Sequence, residues 1–271
     1  MDSAKIRTIV LKGGSALELA HRVISRGSFD VDLSIAKDFR DLADTQKRIF
    51  RAVKDRFDAV GYVIFDEDFK VLPPTTPSPD PRPWWGGYAL EFKILSREKF
   101  QELAGDLAKM RNYAEVVSPR QGRRFRVEIS KYEFCEGAQE FDFEGFTIFV
   151  YSPEMSAFEK LRAICQQMDG YEVIPGSKKR PRARDFYDIH ALVTKKDVDF
   201  AAPANQDICR QVFGAKRVEL ALIAGIEATR EFHRTDWPRV KDTVREEAEE
   251  FDHYFEFVVS EARKLEPFWV E

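Results

Sequence analysis

Two aspartates, Asp30 and Asp32, stand two residues apart in a stretch from Phe29 to Ile35 that reads as a strand. The spacing puts both carboxylates on one face, with Val31 and Leu33 on the other. Unit charges about 4 Å apart repel by about 4 kcal/mol at an effective dielectric near 20. A fold tolerates that cheaply when the pair is solvated, shares a proton or binds a cation, and a divalent ion reverses the sign of the cost. Glu128 lies on another predicted strand, whose apolar face is Phe125, Val127 and Ile129, and shares its own face with Arg126 and Ser130. Alone it is what any solvated strand face carries. Beside Asp30 and Asp32 it completes an all-oxygen set of the kind magnesium takes, with further ligands from water and phosphate.

Gly13-Gly14-Ser15 follows the short apolar stretch Ile6 to Leu11 and precedes Leu17, Ala20, His21 and Ile24 at helical spacing. Glycines let backbone approach a phosphate, a helix start favours negative charge, and Ser15 adds a hydroxyl. A tight turn with Ser15 as helix cap explains the motif equally well when it is taken alone. The order strand, Gly-Gly-Ser, helix, Asp-x-Asp within twenty residues is far harder to assign to chance.

These residues need elements to position them. Beyond Phe29–Ile35, a helix with Ile49, Val53, Phe57 and Val60 on one face leads to a strand at Tyr62 to Phe65. Leu72 to Trp85 is crowded with prolines and reads as a loop or flap. Tyr88, Leu90, Phe92 and Ile94 alternate with Ala89, Glu91 and Lys93 as a half-buried strand, and Phe146, Ile148 and Val150 repeat the pattern. Ser152-Pro153 is an N-cap followed by proline at the first helical position; Met155, Phe158, Leu161 and Cys165 mark the buried stripe behind it. Asp169 to Arg182 is a loop. Helices are expected from about Arg184, Lys216 and Arg239, the last carrying Val240, Val244, Phe251, Phe255, Val258 and Ala262. The order predicts an α+β fold, with a catalytic domain over 1–152 and a helical domain over 153–271 that completes the active site.

The 271 residues suffice for two modest cores, and 44% hydrophobic with 33% charged residues is ordinary for a soluble globular chain. A net charge of −4 excludes a basic nucleic-acid coat, so any polyanion site must be local. Cys135, Cys165 and Cys209 form no CxxC pair, and the four histidines (His21, His190, His233, His253) show no HExxH spacing. A reducing cytoplasm fits that set better than a disulfide framework or structural zinc. No apolar run approaches a membrane span, and Met1 to Arg7 lacks the regions of a signal peptide.

Four segments resemble the AbiEii toxin family, within the polymerase-β nucleotidyltransferase superfamily. They are Leu11 to Leu17 together with Asp30 to Leu33, Arg126 to Ile129, Glu159 to Ala163, and Arg184 to Ile189. The resemblance implies a polymerase-β-like fold and transfer of a nucleoside monophosphate from a nucleoside triphosphate to an acceptor hydroxyl. In some members the acceptor is a tRNA 3′ end. It also implies a toxin of a type IV toxin–antitoxin system, with a winged-helix antitoxin as partner. By position, Asp30, Asp32 and Glu128 would hold magnesium, two ions in all. Lys160 would contact the triphosphate, Asp185 matches a catalytic position, and Gly13, Gly14, Ser15 and Arg184 line the nucleotide. Gln167 stands where the family usually has arginine, a contact that Arg162 or Arg184 could supply. Nucleotidylation of a protein or an antibiotic-like small molecule uses the same pocket chemistry, and a non-catalytic binding module is the remaining alternative.

Other residues are weighed on their own terms. Lys160 falls opposite Phe158, Leu161 and Cys165, so a solvated lysine beside Glu154 or Glu159 is its plain reading. Asp188 reads as a first-turn acid. The runs Lys178, Lys179, Arg180, Arg182, Arg184 and Arg120, Arg123, Arg124, Arg126 are solvated surface or polyanion contacts in equal measure. Trp84 and Trp85 could stack on a base or pack their loop down. His21 is expected in the core.

Overall fold

The computed structural model describes residues 9–24, 30–73, 84–103, 105–117, 122–171, 178–244 and 247–268. In chain order its elements are β1 (Val10–Lys12), α1 (Gly13–Leu19), β2 (Val31–Ile35), α2 (Leu42–Ala59), β3 (Tyr62–Leu72), β4 (Gly87–Ser96), α3 (Arg97–Glu102), α4 (Leu107–Tyr113) and β5 (Phe125–Lys131). Then follow β6 (Gln139–Phe143), β7 (Phe146–Val150), α5 (Pro153–Cys165), α6 (Ala183–Lys196) and α7 (Pro203–Ala215). After a 3₁₀ segment at Leu220–Thr229 come α8 (Arg230–Arg234), α9 (Trp237–Lys241) and α10 (Phe251–Arg263). The chain is mixed α/β, and it divides into two compact units: Phe29–Tyr132, and Met1–Ser28 together with Glu133–Glu271.

In the unit Phe29–Tyr132 the strands run in the order β3-β4-β5-β2. β3 and β5 flank β4 antiparallel, while β2 pairs β5 in parallel. Alternation gives this sheet two faces. On one, Leu90, Phe92, Ile94, Phe125 and Val127 meet Ile49, Phe50, Val53 and Phe57 of α2. Asp41 starts that helix by accepting the Asp44 N–H at 2.9 Å. The other face carries Glu91, Lys93 and Glu128, and its far end is closed by Phe65 and Leu95 against Leu103, Met110 and Ala114 at the ends of α3 and α4. β4 is therefore buried on both faces, whereas its alternation predicts a half-buried strand. Glu91 pairs with Lys70, and Lys93 with Asp66, which keeps that face polar.

In the other unit, β7 lies between β1, which is parallel to it, and β6, which is antiparallel. From Pro153 onward every described element is helical. Ser152 Oγ accepts the Met155 N–H at 3.2 Å, as its position before proline predicts. These helices do not form a core separate from the N-terminal segment. Leu17, Val23 and Ile24 join Phe158, Leu161, Phe186, Leu192 and Phe255 in one apolar cluster, and Val10 packs with Tyr151 and Met155. The packing thus groups residues differently from a division at 152.

Three sequence expectations shift. β3 continues to Leu72, and residues 74–83 of the Pro-rich stretch lie outside the described residues. Lys216 ends α7 instead of starting a helix. The near-heptad run from Arg239 is split into α9 and α10. A continuous helix would stack Glu246, Glu247, Glu249 and Glu250 at repulsive i,i+3 and i,i+4 spacings.

Candidate functional site

The acidic strand is shorter than its spacing predicts: β2 begins at Val31, so Asp30 precedes it, and Val31, on the face expected to be apolar, is 37% exposed. Asp32 is the direct register partner of Glu128 across the parallel β2–β5 pair, so the two side chains share a face. Asp30 is exposed just before β2, and Asp32 is half-buried. The Glu128 carboxylate reaches Arg126 at 2.7 Å, and both side chains are 43% exposed. Among the described residues no three His, Cys, Asp or Glu side chains converge tightly enough to hold a metal ion as placed.

The same face continues as a ladder of charges. Arg126 lies 3.9 Å from Glu91, which also takes Lys70 at 2.7 Å and Arg124 at 3.2 Å. Burial pushes the Glu91 carboxyl up, but Lys70 and the two arginines outweigh it and hold it below the usual carboxylate range. Arg124 further approaches Asp66, which Lys93 and Arg111 also bind. Arg123 donates to the Ala114 carbonyl. The described part of the basic run Arg120–Arg126 is therefore engaged inside its own unit, with Arg124 and Arg126 still partly exposed; Arg120 lies outside the described residues.

In the other unit Gly13-Gly14-Ser15 forms the first turn of α1, directly after β1. Gly13 has φ +68°, a conformation that asks for glycine. Lys12, not Ser15, is the N-cap residue, and Ser15 is buried within α1. Sequence reasoning passed over what anchors this turn. Lys12 Nζ lies 3.2 Å from Glu133, a carboxylate that also takes Arg162 at 3.4 Å and Lys216 at 3.4 Å. Glu159 approaches Arg162 at 3.3 Å and Lys12 at 3.9 Å. Burial pushes Glu133 up, but the three cations prevail and bring it down to about 2. Burial lowers Lys216 to about 8 despite Glu133. Only Arg162 had a stated candidacy in the sequence; Glu133, in a segment without periodicity, gave no signal.

Lys160 and Asp185 meet, though not on the solvated side that the helical wheel assigns to Lys160. α5 is buried nearly all round, and Lys160 is 5% exposed. Its ammonium sits 3.2 Å from Asp185 and 2.7 Å from Asp188, which is fully buried. Asp188 is thus no solvated first-turn acid; its i+3 spacing from Asp185 aims both at one lysine. Arg182 Nε donates to Asp185 at 2.5 Å. Burial raises the Asp185 carboxyl, and Arg182 with Lys160 brings it below its ordinary value. Behind Arg182, His233 Nδ1 accepts the Arg182 N–H at 3.0 Å, which fixes the proton on Nε2. Burial lowers His233 to about 4, so it is neutral near pH 7.

The loop before α6 is likewise engaged. Lys179 Nζ donates to the carbonyls of Met168 and Tyr171 at 2.7 and 3.0 Å. Gln167 accepts the Arg180 N–H and donates to the Ala163 carbonyl, so its amide ties loop to helix at both ends. Arg184 is half-buried at the start of α6. His21 is a core histidine, its Nε2 donating to the Tyr151 carbonyl at 2.6 Å. Trp84 and Trp85 are half-buried, and the three cysteines are free.

Residues 1–258 match the family described as nucleotidyl transferase AbiEii toxin, Type IV TA system. The chain belongs to the AbiEii family. The match runs well past residue 200, where the sequence motifs had thinned out. No curated protein matches the chain. Among solved structures it is similar to JHP933 from Helicobacter pylori, at 14% identity and TM-score 0.47, over 97% of this chain and 85% of that one. It is also similar to an antigenic nucleotidyltransferase-like protein from Paracoccidioides brasiliensis, at 16% identity and TM-score 0.30, over 77% and 80%. In this AbiEii chain no described helix is long and apolar enough to cross a membrane.

Proposed function

We propose that this chain transfers a nucleoside monophosphate from a nucleoside triphosphate to the hydroxyl of an RNA, a tRNA 3′ end above all, as the toxin partner of a winged-helix antitoxin in the cytoplasm. Family membership supports the reaction class. The observation that carries the chemistry is the register pairing of Asp32 with Glu128, two acids 96 positions apart in sequence that share one sheet face.

The donor set suits a hard cation, since Asp30, Asp32 and Glu128 offer only carboxylate oxygens. Glu128 is held by Arg126 at an exposed pair, a partner it can exchange at little cost. Asp30, Asp32 and Glu128 would hold two magnesium ions, which when bound lower the pKa of an acceptor hydroxyl and neutralise charge on the departing pyrophosphate. The remaining work falls to the chain. Gly13, Gly14 and Ser15 admit the triphosphate close to backbone, and Arg184 adds a guanidinium. Lys160 supplies a point charge, and Asp185 fixes where that charge stands.

Labelling tests this directly. The protein is incubated with each of the four α-labelled triphosphates and magnesium, with total RNA or with a protein lysate. Label in the RNA is expected, and Asp32→Ala should reduce it by more than the ~100-fold that even outer-sphere partners of a metal command. Label confined to protein would move the acceptor to a side chain; undiminished labelling by a folded Asp32→Ala variant would defeat the reading.

A further inference from the structure

Away from the residues assigned above, α6 and α10 bring two histidines together edge-on, with ring centroids 5.1 Å apart. His190 Nε2 and His253 Nε2 are 3.3 Å apart. At that separation the two rings are hydrogen-bonded to each other, one nitrogen donating and the other accepting. Nitrogens bound at about 2.0–2.1 Å in a tetrahedral shell lie about 3.3–3.4 Å from each other. The pair therefore already has the spacing of two cis ligands on one ion.

Their neighbours hold both rings in that arrangement. His190 packs edge-on against Tyr254, with centroids 5.1 Å apart, and against Phe257 at 4.6 Å. His253 packs edge-on against the same Tyr254 at 5.1 Å. Locking ligand rings by packing is what preorganises a metal site. His253 is exposed and His190 half-buried, so an ion can enter from solvent. Burial, with His253 and Lys195 nearby, keeps His190 below its ordinary pKa and so available as a neutral ligand near pH 7.

We propose that His190 and His253 form a two-histidine site for a borderline first-row cation, such as Zn²⁺, Ni²⁺ or Cu²⁺, that clamps α6 to α10. Imidazole selects these ions over magnesium, so the site is chemically distinct from the carboxylates of the sheet unit. Two protein donors leave the rest of the shell to water, which makes binding reversible. The proposal stands independently of the transferase reading, because it uses none of that reading's residues.

The test is calorimetric titration of the full, untagged, chelator-treated chain with zinc, nickel, copper and magnesium chlorides, repeated on His253→Gln and His190→Gln. His253 is exposed, so its variant tests the site without disturbing the core. One equivalent of zinc should bind, with copper tighter and magnesium giving no heat that depends on the pair. Each variant should weaken zinc by at least the ~10-fold that losing even an outer partner costs. Zinc should also raise the melting temperature of the wild type but not of the variants. Equal zinc affinity in wild type and His253→Gln, or no zinc binding by the wild type, would overturn the proposal.

Discussion

The sheet face of the unit Phe29–Tyr132 and the helices of the other unit each gather acids and bases into a connected network, but they place them in opposite environments. On the sheet face, Glu128 and Arg126 are each 43% exposed. In the helices, Lys160 and Asp185 side chains are each 6% exposed and Asp188 is fully buried. An exposed pair is worth at most about 1 kcal/mol, because water serves either partner nearly as well. A buried pair has no such substitute, so removing one member strands the other. The sheet carboxylates can therefore change partners, as the proposed cation binding requires. The helical charges hold a fixed geometry, as the phosphate contact proposed for Lys160 requires.

The sharpest way to break that contrast is Asp188→Ala. Lys160 would lose its shorter carboxylate contact and keep Asp185, at 3.2 Å, in a buried setting. Breaking a buried pair costs about 3–5 kcal/mol. Urea unfolding should show a loss of that size, and a change under about 1 kcal/mol would mean that water reaches Lys160 and that the two networks do not differ in kind.

Glu133 probes the same contrast through pH. Its folded pKa is about 2, below the ordinary carboxylate value of 4.5, because Arg162, Lys12 and Lys216 outweigh burial. A depressed folded pKa contributes stability that is fully present above the unfolded value and is lost as pH falls through the folded one. Thermal melts should thus decline between about pH 4.5 and 2 in the wild type. Glu133→Gln should be less stable near pH 7 and should lack this component of the acid decline. An identical decline in the variant would assign the loss to other carboxylates.

The sheet chemistry was legible in the sequence because strand periodicity of two leaves no freedom. The alternation around Asp32 and around Glu128 set the face each takes, and pairing β2 with β5 needed only a register, while Asp30 falls just before β2. The buried networks were not legible, for a definite reason. A helical wheel assumes one apolar face, but α5 is enclosed almost all round, so the plain reading of Lys160 placed it in solvent that is not there. Their neutralising partners come from distant segments: Asp188 from α6 and Glu133 from an irregular stretch. The basic runs misled similarly, since one sequence cannot show that Arg124 answers Glu91 and Asp66, or that Lys179 caps carbonyls. The tail was blurred by a heptad-like pattern that like charges interrupt.

The finest distinction concerns Arg126→Ala. Removing an exposed guanidinium should change stability by no more than about 1 kcal/mol, with Glu91 keeping Lys70 and Arg124. On the proposed reading, the freed Glu128 carboxylate no longer competes between arginine and metal, so half-maximal labelling should need less magnesium than in the wild type. A role for Arg126 in gripping the triphosphate predicts the opposite signature, a raised KM for nucleotide with the magnesium requirement unmoved. Titrating magnesium at saturating nucleotide, and nucleotide at saturating magnesium, separates the two. A lowered magnesium requirement with unchanged stability would show that the open network exchanges partners while the buried one does not.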